Sequence, residues 1–145
     1  MITNERQYRI TKTQLAHFDE SLAAHDARQP STRVDPRVHQ AMRDAMASEA
    51  EVLRAQIDRY EQLRDGHITE REIDSLKDIP ATLIEARIAA RLTQHQLGQR
   101  VGVAEQQIQR WEANAYSGVN LDRLQSVADA LGVSIHETIT YSSAA

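Results

Sequence analysis

Residues 105–113, EQQIQRWEA, put several hydrogen-bonding side chains on one side of a short helix. At 100° per residue, Gln106, Gln109, Arg110 and Ala113 share a face, with Glu105 and Gln107 on its flanks. Ala104, Ile108 and Trp111 fall on the opposite face. Gln can pair with adenine N6 and N7, Arg with guanine O6 and N7, and Glu can accept from cytosine N4. Each good bidentate contact discriminates by about 1–3 kcal/mol. Such a face suits base edges in the major groove of a duplex. Competing chemistries lack their residues. Cys is absent, and no pair among His17, His25, His39, His67, His95 and His136 has the i, i+4 spacing of helical metal ligands. No Gly-rich phosphate loop is present. Ser117, Ser126 and Ser134 have no paired base. No catalytic residue, metal or cofactor is expected.

The elements that must hold this face are legible from their ends. Thr93-Gln94-His95-Gln96 fits a capping box, stapled by Leu92 and Leu97, and opens one helix. Gly102 stands in the turn to the next, where positive φ is cheap for Gly. Gly98 is small where the two helices come closest. Leu97, Val103, Ile108 and Trp111 are apolar where the pair must pack on a core, so Trp111 is read as core. Asn114 follows the second helix, where Asn substitutes for a left-handed Gly. Upstream, residues 81–91 form a helix carrying Leu83, Ile84 and Ile88. Downstream, Asn120 caps a helix with Leu121, Leu124, Val127, Ala128 and Leu131 that ends at Gly132, and residues 134–137 open a last turn. The final four residues read as a frayed tail. Arg87, Arg91 and Arg100 are open to two readings, phosphate contact or surface ion pair.

The N-terminal half is also helical. Residues 11–14 fit a capping box flanked by Ile10 and Leu15, so a helix is expected over 12–27 with Leu15, Phe18 and Leu22 as its stripe. Residues 28–35 are a polar break. Asp35-Pro36 then starts a long amphipathic helix that stops at Gly66, with a carboxylate cap and Pro at the first helical position. It would span roughly 43 Å. Met46, Leu53 and Tyr60 fit one heptad seam, but the other seam holds Glu49 and Gln56, so a bundle or dimer surface fits better than a strict coiled coil. Residues 69–72 form a further capping box for a short helix or helical turn ending before Pro80. The domain boundary falls between Gly66 and Pro80, dividing the chain into 1–76, a dimerisation or partner-binding region, and 77–145, a DNA-binding domain. No segment alternates long enough for a strand, so the fold class is all-α.

Composition sets the class. One Trp, one Phe and four Tyr argue against a stacking platform for single strands. No stretch has the length of a signal peptide core or a membrane span, so a soluble cytoplasmic protein is expected. The net charge of −4 does not advertise nucleic acid. Residues 1–76 carry 11 Lys/Arg against 14 Asp/Glu, and residues 77–145 carry 6 against 7. Any basic footprint must therefore be local.

With these residues in hand, the stretch LTQHQLGQRVGVAEQQIQRWEAN, followed by LDRLQSVADALGVS, resembles the Cro/C1-type helix-turn-helix family of regulators. The resemblance covers residues 80–140. It implies a five-helix domain whose third helix enters the major groove of a palindromic operator, bound by a homodimer, and hence a transcriptional repressor. It carries base reading to Ala104, Glu105, Gln106 and Arg110, beside Gln109 on the same face. Phosphate contact is expected at Thr93, Gln94, Gln107 and Asn114. Val103 and Ala104 depart from the Ser or Thr often found at the start of the reading helix, which weakens its cap. Asn114–Ser117 replaces a Gly-rich exit and leaves the role of Tyr116 open. The N-terminal stretches ITNERQYRITKTQ and YEQLRDG resemble helical extensions of antitoxins. That resemblance implies an alternative, an antitoxin that neutralises a protein toxin and represses its own operator.

Overall fold

The computed structural model describes residues 1–29 and 31–142. Among these residues six α-helices follow one another: α1 (Glu5–Ala27), α2 (Pro36–Arg64), α3 (Ile79–Ala89), α4 (Gln94–Val101), α5 (Glu105–Ala113) and α6 (Leu121–Leu131). A 3-10 turn at Leu76–Asp78 precedes α3, and no strand occurs among the described residues. The all-α class holds.

α1 and α2 form an antiparallel hairpin. At its root the rings of Tyr8 and Tyr60 stack at 5.1 Å, and the Tyr8 hydroxyl donates to Glu61. Arg54 pairs with Asp19 at 3.0 Å along the shaft, and Arg43 with Asp26 at 2.7 Å near the tip. The rings of His25 and His39 stack beside that last pair. Asp35 and Pro36 start α2 as expected, with the Asp35 carboxylate accepting from the Arg37 amide at 2.8 Å.

Helix α1 starts seven residues before the expected Lys12. Asn4 is its cap and accepts from the Gln7 amide at 2.9 Å, while the Gln7 side chain accepts from the Thr3 amide. The hydroxyls of Thr11 and Thr13 bond back to the carbonyls of Gln7 and Arg9 within the helix. A Thr can spend its hydroxyl on the preceding turn, so a capping signature can occur inside a helix. The expected capping box at residues 69–72 does not open a helix, and the helical turn before Pro80 is the 3-10 turn at Leu76–Asp78. Ser75 caps only the 3-10 turn, and Pro80 sits in the first turn of α3.

The core lies where the hairpin root meets α3–α6. Ile2, Tyr8, Ile57, Tyr60 and Leu63 join Leu83, Ile84, Ile88, Leu97, Ile108, Tyr116 and Val127 in one cluster. The implied count of five helices gives way to four α-helices in the C-terminal part. Ser134–Glu137 has no regular structure, although Gly132 ends α6 in the left-handed conformation as expected. The expected frayed tail falls, beyond Ser142, outside the described residues.

Candidate nucleic-acid interface

Helices α4 and α5 are joined by Gly102 (φ 80) and Val103, whose amides both bond to the Gly98 carbonyl at 2.8 and 2.9 Å. A Cβ on Gly98 would stand 2.7 Å from the Val103 carbonyl oxygen. That oxygen is backbone and cannot swing away, so the close approach of the turn to α4 requires Gly. The Thr93–Gln96 capping box forms in both directions, at 2.9 and 3.1 Å. α5 begins without such help. Ala104 has the extended geometry of a cap but no side-chain acceptor.

Of the residues expected to read bases, Ala104, Glu105, Gln106, Gln109 and Arg110 are all exposed. Gln106 and Arg110 have no side-chain partner among the described residues. Gln109 donates to Glu105 at 3.0 Å, and His95 stands 3.5 Å from the other Glu105 oxygen. The glutamate flank of the face is thus tied down, while Gln106 and Arg110 are unengaged.

The residues expected to touch phosphate are less uniform. Thr93 is exposed at the start of α4, with its hydroxyl in the capping box. Gln94 is half-buried and donates one amide hydrogen to Glu112 at 2.7 Å, which leaves the other amide hydrogen available. Gln107 is half-buried on the flank of α5. Asn114 is exposed but is not the expected left-handed cap. Its φ is −99°, and the left-handed residues are Ala115 (φ 47) and Tyr116 (φ 55).

Those two residues make the exit that a Gly-rich segment would otherwise supply. The Tyr116 amide bonds to the Trp111 carbonyl at 2.7 Å, and the ring is driven into the core. Burial, with the Glu112 carboxylate nearby and Arg87 opposing it, pushes the Tyr116 hydroxyl well above the ordinary tyrosine range. The hydroxyl oxygen has no hydrogen-bond partner among the described residues. Trp111 is half-buried against the core, tilted on Tyr116 with Arg123 over its ring.

The feature that holds α5 in place is one that reading the chain by segments misses. Arg87 on α3 is neither a phosphate contact nor a surface partner. It forms a bidentate pair with Glu112 at 2.6 and 2.7 Å, with side chains only 3% and 1% exposed. Two further donors go to the carbonyls of Leu92 (2.8 Å) and Thr3 (2.6 Å). One guanidinium therefore joins the N-terminal segment, the α3–α4 loop and α5, and Glu112 passes the connection to Gln94. The signal was present as a charge inside two apolar stripes. Arg87 falls between Leu83 and Ile84 on the α3 wheel, and Glu112 lies beside Ile108 on α5. Arg100 instead donates to the Ala130 carbonyl at 3.2 Å.

Two short helices set by a glycine turn, with the second turning a polar face outward, match one family model. Residues 83–137 match the model described as Helix-turn-helix. They are a helix-turn-helix domain of the Cro/C1 type. This domain is the DNA-binding part of a transcriptional regulator. No curated protein and no solved structure was found to match the chain. Residues 1–82 lie outside the family match, yet Ile2 and Thr3 reach into the helix-turn-helix domain through its core and through Arg87. No helix among the described residues is long and apolar enough to cross a membrane.

Proposed function

We propose that the chain is a sequence-specific repressor that binds a palindromic operator as a homodimer and occludes polymerase. The observation that carries this reading is the free face of α5. Gln106 and Arg110 are exposed and unengaged, while Arg87 and Glu112 pin the opposite side of the same helix. Donors held on a rigid element and not spent within the protein are what direct readout requires. In this reading Ala104, Glu105, Gln106, Gln109 and Arg110 face bases. Thr93, Gln94, Gln107 and Asn114 face the backbone, through side chains or through the free amides at the start of α4. Residues 77–145 act as the DNA-binding domain, and residues 1–76 supply the dimer or partner surface.

A second reading of the N-terminal half is favoured by an exposed flank of α2. Val38, Met42 and Val52 are about half exposed there (51%, 55% and 48%), beside the side of the helix that packs on α1. Arg43, Arg54, Arg59 and Arg64 are all paired with acids, whereas Glu49, Glu51 and Asp58 have no cation against them among the described residues. An apolar stripe with unneutralised acids suits a basic protein partner such as the toxin of an antitoxin pair. Selection of duplexes from a randomised library, followed by a footprint on the chain's own promoter, tests the main reading. An enriched inverted repeat is expected, and the absence of any enriched sequence would defeat it. Size measurement of the full chain, with and without a candidate basic partner, separates self-association from capture of a partner.

A further inference from the structure

An open groove runs beside the reading face, and one of its walls lies outside residues 83–137. That wall carries Arg6 on α1 and Arg64 on α2. It faces Arg91 and Gln94 near the start of α4, and Gln109 on α5. The groove therefore joins the surface that would lie against DNA to the first residues of the chain.

Four arginines line this groove, and two of them are already committed. Arg87 is buried on Glu112. Arg64 is paired with Asp65 at 3.2 Å and lies over the rings of Tyr8 and Tyr60. Arg6 is exposed and has no ion pair or side-chain hydrogen bond among the described residues. Arg91 is also exposed and engages only Nε, on the Arg64 carbonyl at 3.0 Å. That bond aims the guanidinium and leaves both Nη groups without a partner among the described residues. Of the acids in the groove, Asp65 and Glu112 are paired with Arg64 and Arg87, while Glu5 accepts from the Tyr60 hydroxyl and Glu105 from the Gln109 amide, so neither of these two is ion-paired with Arg6 or Arg91.

The backbone of Arg91 is a separate observation. Its φ is +55°, just after the last residues of α3, in the position where Gly is at no disadvantage. A non-glycine residue under such strain directs attention to the function of its side chain. The position also lies two residues before the Thr93 cap of α4, on the segment where phosphate contact is expected.

We infer that Arg6 and Arg91 bind the phosphate backbone of the duplex that flanks the half-site read by α5. The DNA-binding surface then extends beyond the helix-turn-helix domain onto the N-terminal segment, which Ile2 and Thr3 anchor. This inference rests on the reading of α5 given above. It also explains how a chain of net charge −4 holds a polyanion, since two free cations sit where the duplex passes.

The test titrates the full chain with the duplex enriched by selection and with a mixed-sequence duplex, between about 50 and 200 mM salt. Arg6→Gln and Arg91→Gln are each expected to lower the slope of log affinity against log salt by about 1 on both duplexes. The ratio of the two affinities is expected to stay as in the wild type. Arg91→Lys, which keeps the charge, keeps the slope. Arg37→Gln removes an exposed cation at the far end of α2 and leaves the slope unaltered. The inference is overturned if Arg6→Gln and Arg91→Gln keep the wild-type slope on a protein that still tells the two duplexes apart. It is also overturned if Arg37→Gln lowers the slope equally, since net charge would then explain the effect. A wild-type chain that binds neither duplex defeats the reading of α5 itself, and this inference falls with it.

Discussion

Replacing Glu112 by Gln removes one charge from the centre of the domain while keeping the shape of the side chain. Arg87 would then be left 3% exposed with a neutral partner whose amide can turn a donor toward the guanidinium. Two charge-assisted bonds of 2.6 and 2.7 Å are weakened together, and Gln94 loses its carboxylate acceptor. Breaking a buried pair by removing one partner costs about 3–5 kcal/mol, because the remaining charge stays desolvated. Against a total stability of about 5–15 kcal/mol, the loss is a large fraction. With roughly 3–4 °C of Tm per kcal/mol at this chain length, the expected fall is about 10–20 °C. Thermal unfolding followed by circular dichroism measures it, with urea denaturation as the check on free energy. The double variant Arg87→Met with Glu112→Leu recovers part of the loss, since an apolar replacement of an ion pair is often neutral. It does not recover all of it, because the Thr3 and Leu92 carbonyls lose their donor. DNA affinity stays low in the double variant if the pair also positions α5. A loss under about 1 kcal/mol in Glu112→Gln would refute the reasoning.

Three further outcomes follow from the local geometry. Gly98→Ala is expected to cost about 1–3 kcal/mol, because its Cβ meets the Val103 carbonyl at 2.7 Å; chemical denaturation with wild-type-like stability would contradict the close approach. Ala104→Ser is expected to stabilise the fold by about 1 kcal/mol, since the position already has cap geometry without an acceptor; an unchanged denaturation midpoint would oppose this. Tyr116→Phe removes a buried hydroxyl with no partner among the described residues and is expected to be neutral or stabilising at neutral pH. Because the folded pKa of Tyr116 is raised, chiefly by burial, its contribution is complete below the unfolded value of about 10 and is lost as pH rises from there toward the folded value. The variant should therefore lose less stability on the alkaline side, and parallel pH curves for the two proteins would rule that out. Tyr60, raised by burial and by Glu5, leaves some alkaline sensitivity in both proteins.

Most helix ends were legible because their chemistry is local. Asp35-Pro36, Thr93 with Gln96, Gly102, Asn120 and Gly132 all act within four residues of themselves, and each stands where it was expected. The same local logic misplaced the start of α1. Thr11 and Gln14 look like a cap, but Asn4 begins the helix earlier and leaves the threonines to bond within it. The outward face of α5 followed from periodicity alone. What holds that face did not, because Arg87 and Glu112 are 25 residues apart and Thr3 is 84 from Arg87. No short window contains that network. The exit after α5 was hidden for another reason: Ala115 and Tyr116 adopt left-handed backbone that neither residue type advertises.

The most direct test of the central claim is operator discrimination by Gln106→Ala and Arg110→Ala, measured as affinity ratios over a panel of single base-pair changes in the selected duplex. Each variant is expected to lose about 1–3 kcal/mol of discrimination at one base position and to keep it at the others. Wild-type ratios in both variants would contradict the assignment of α5 as the element that reads the sequence.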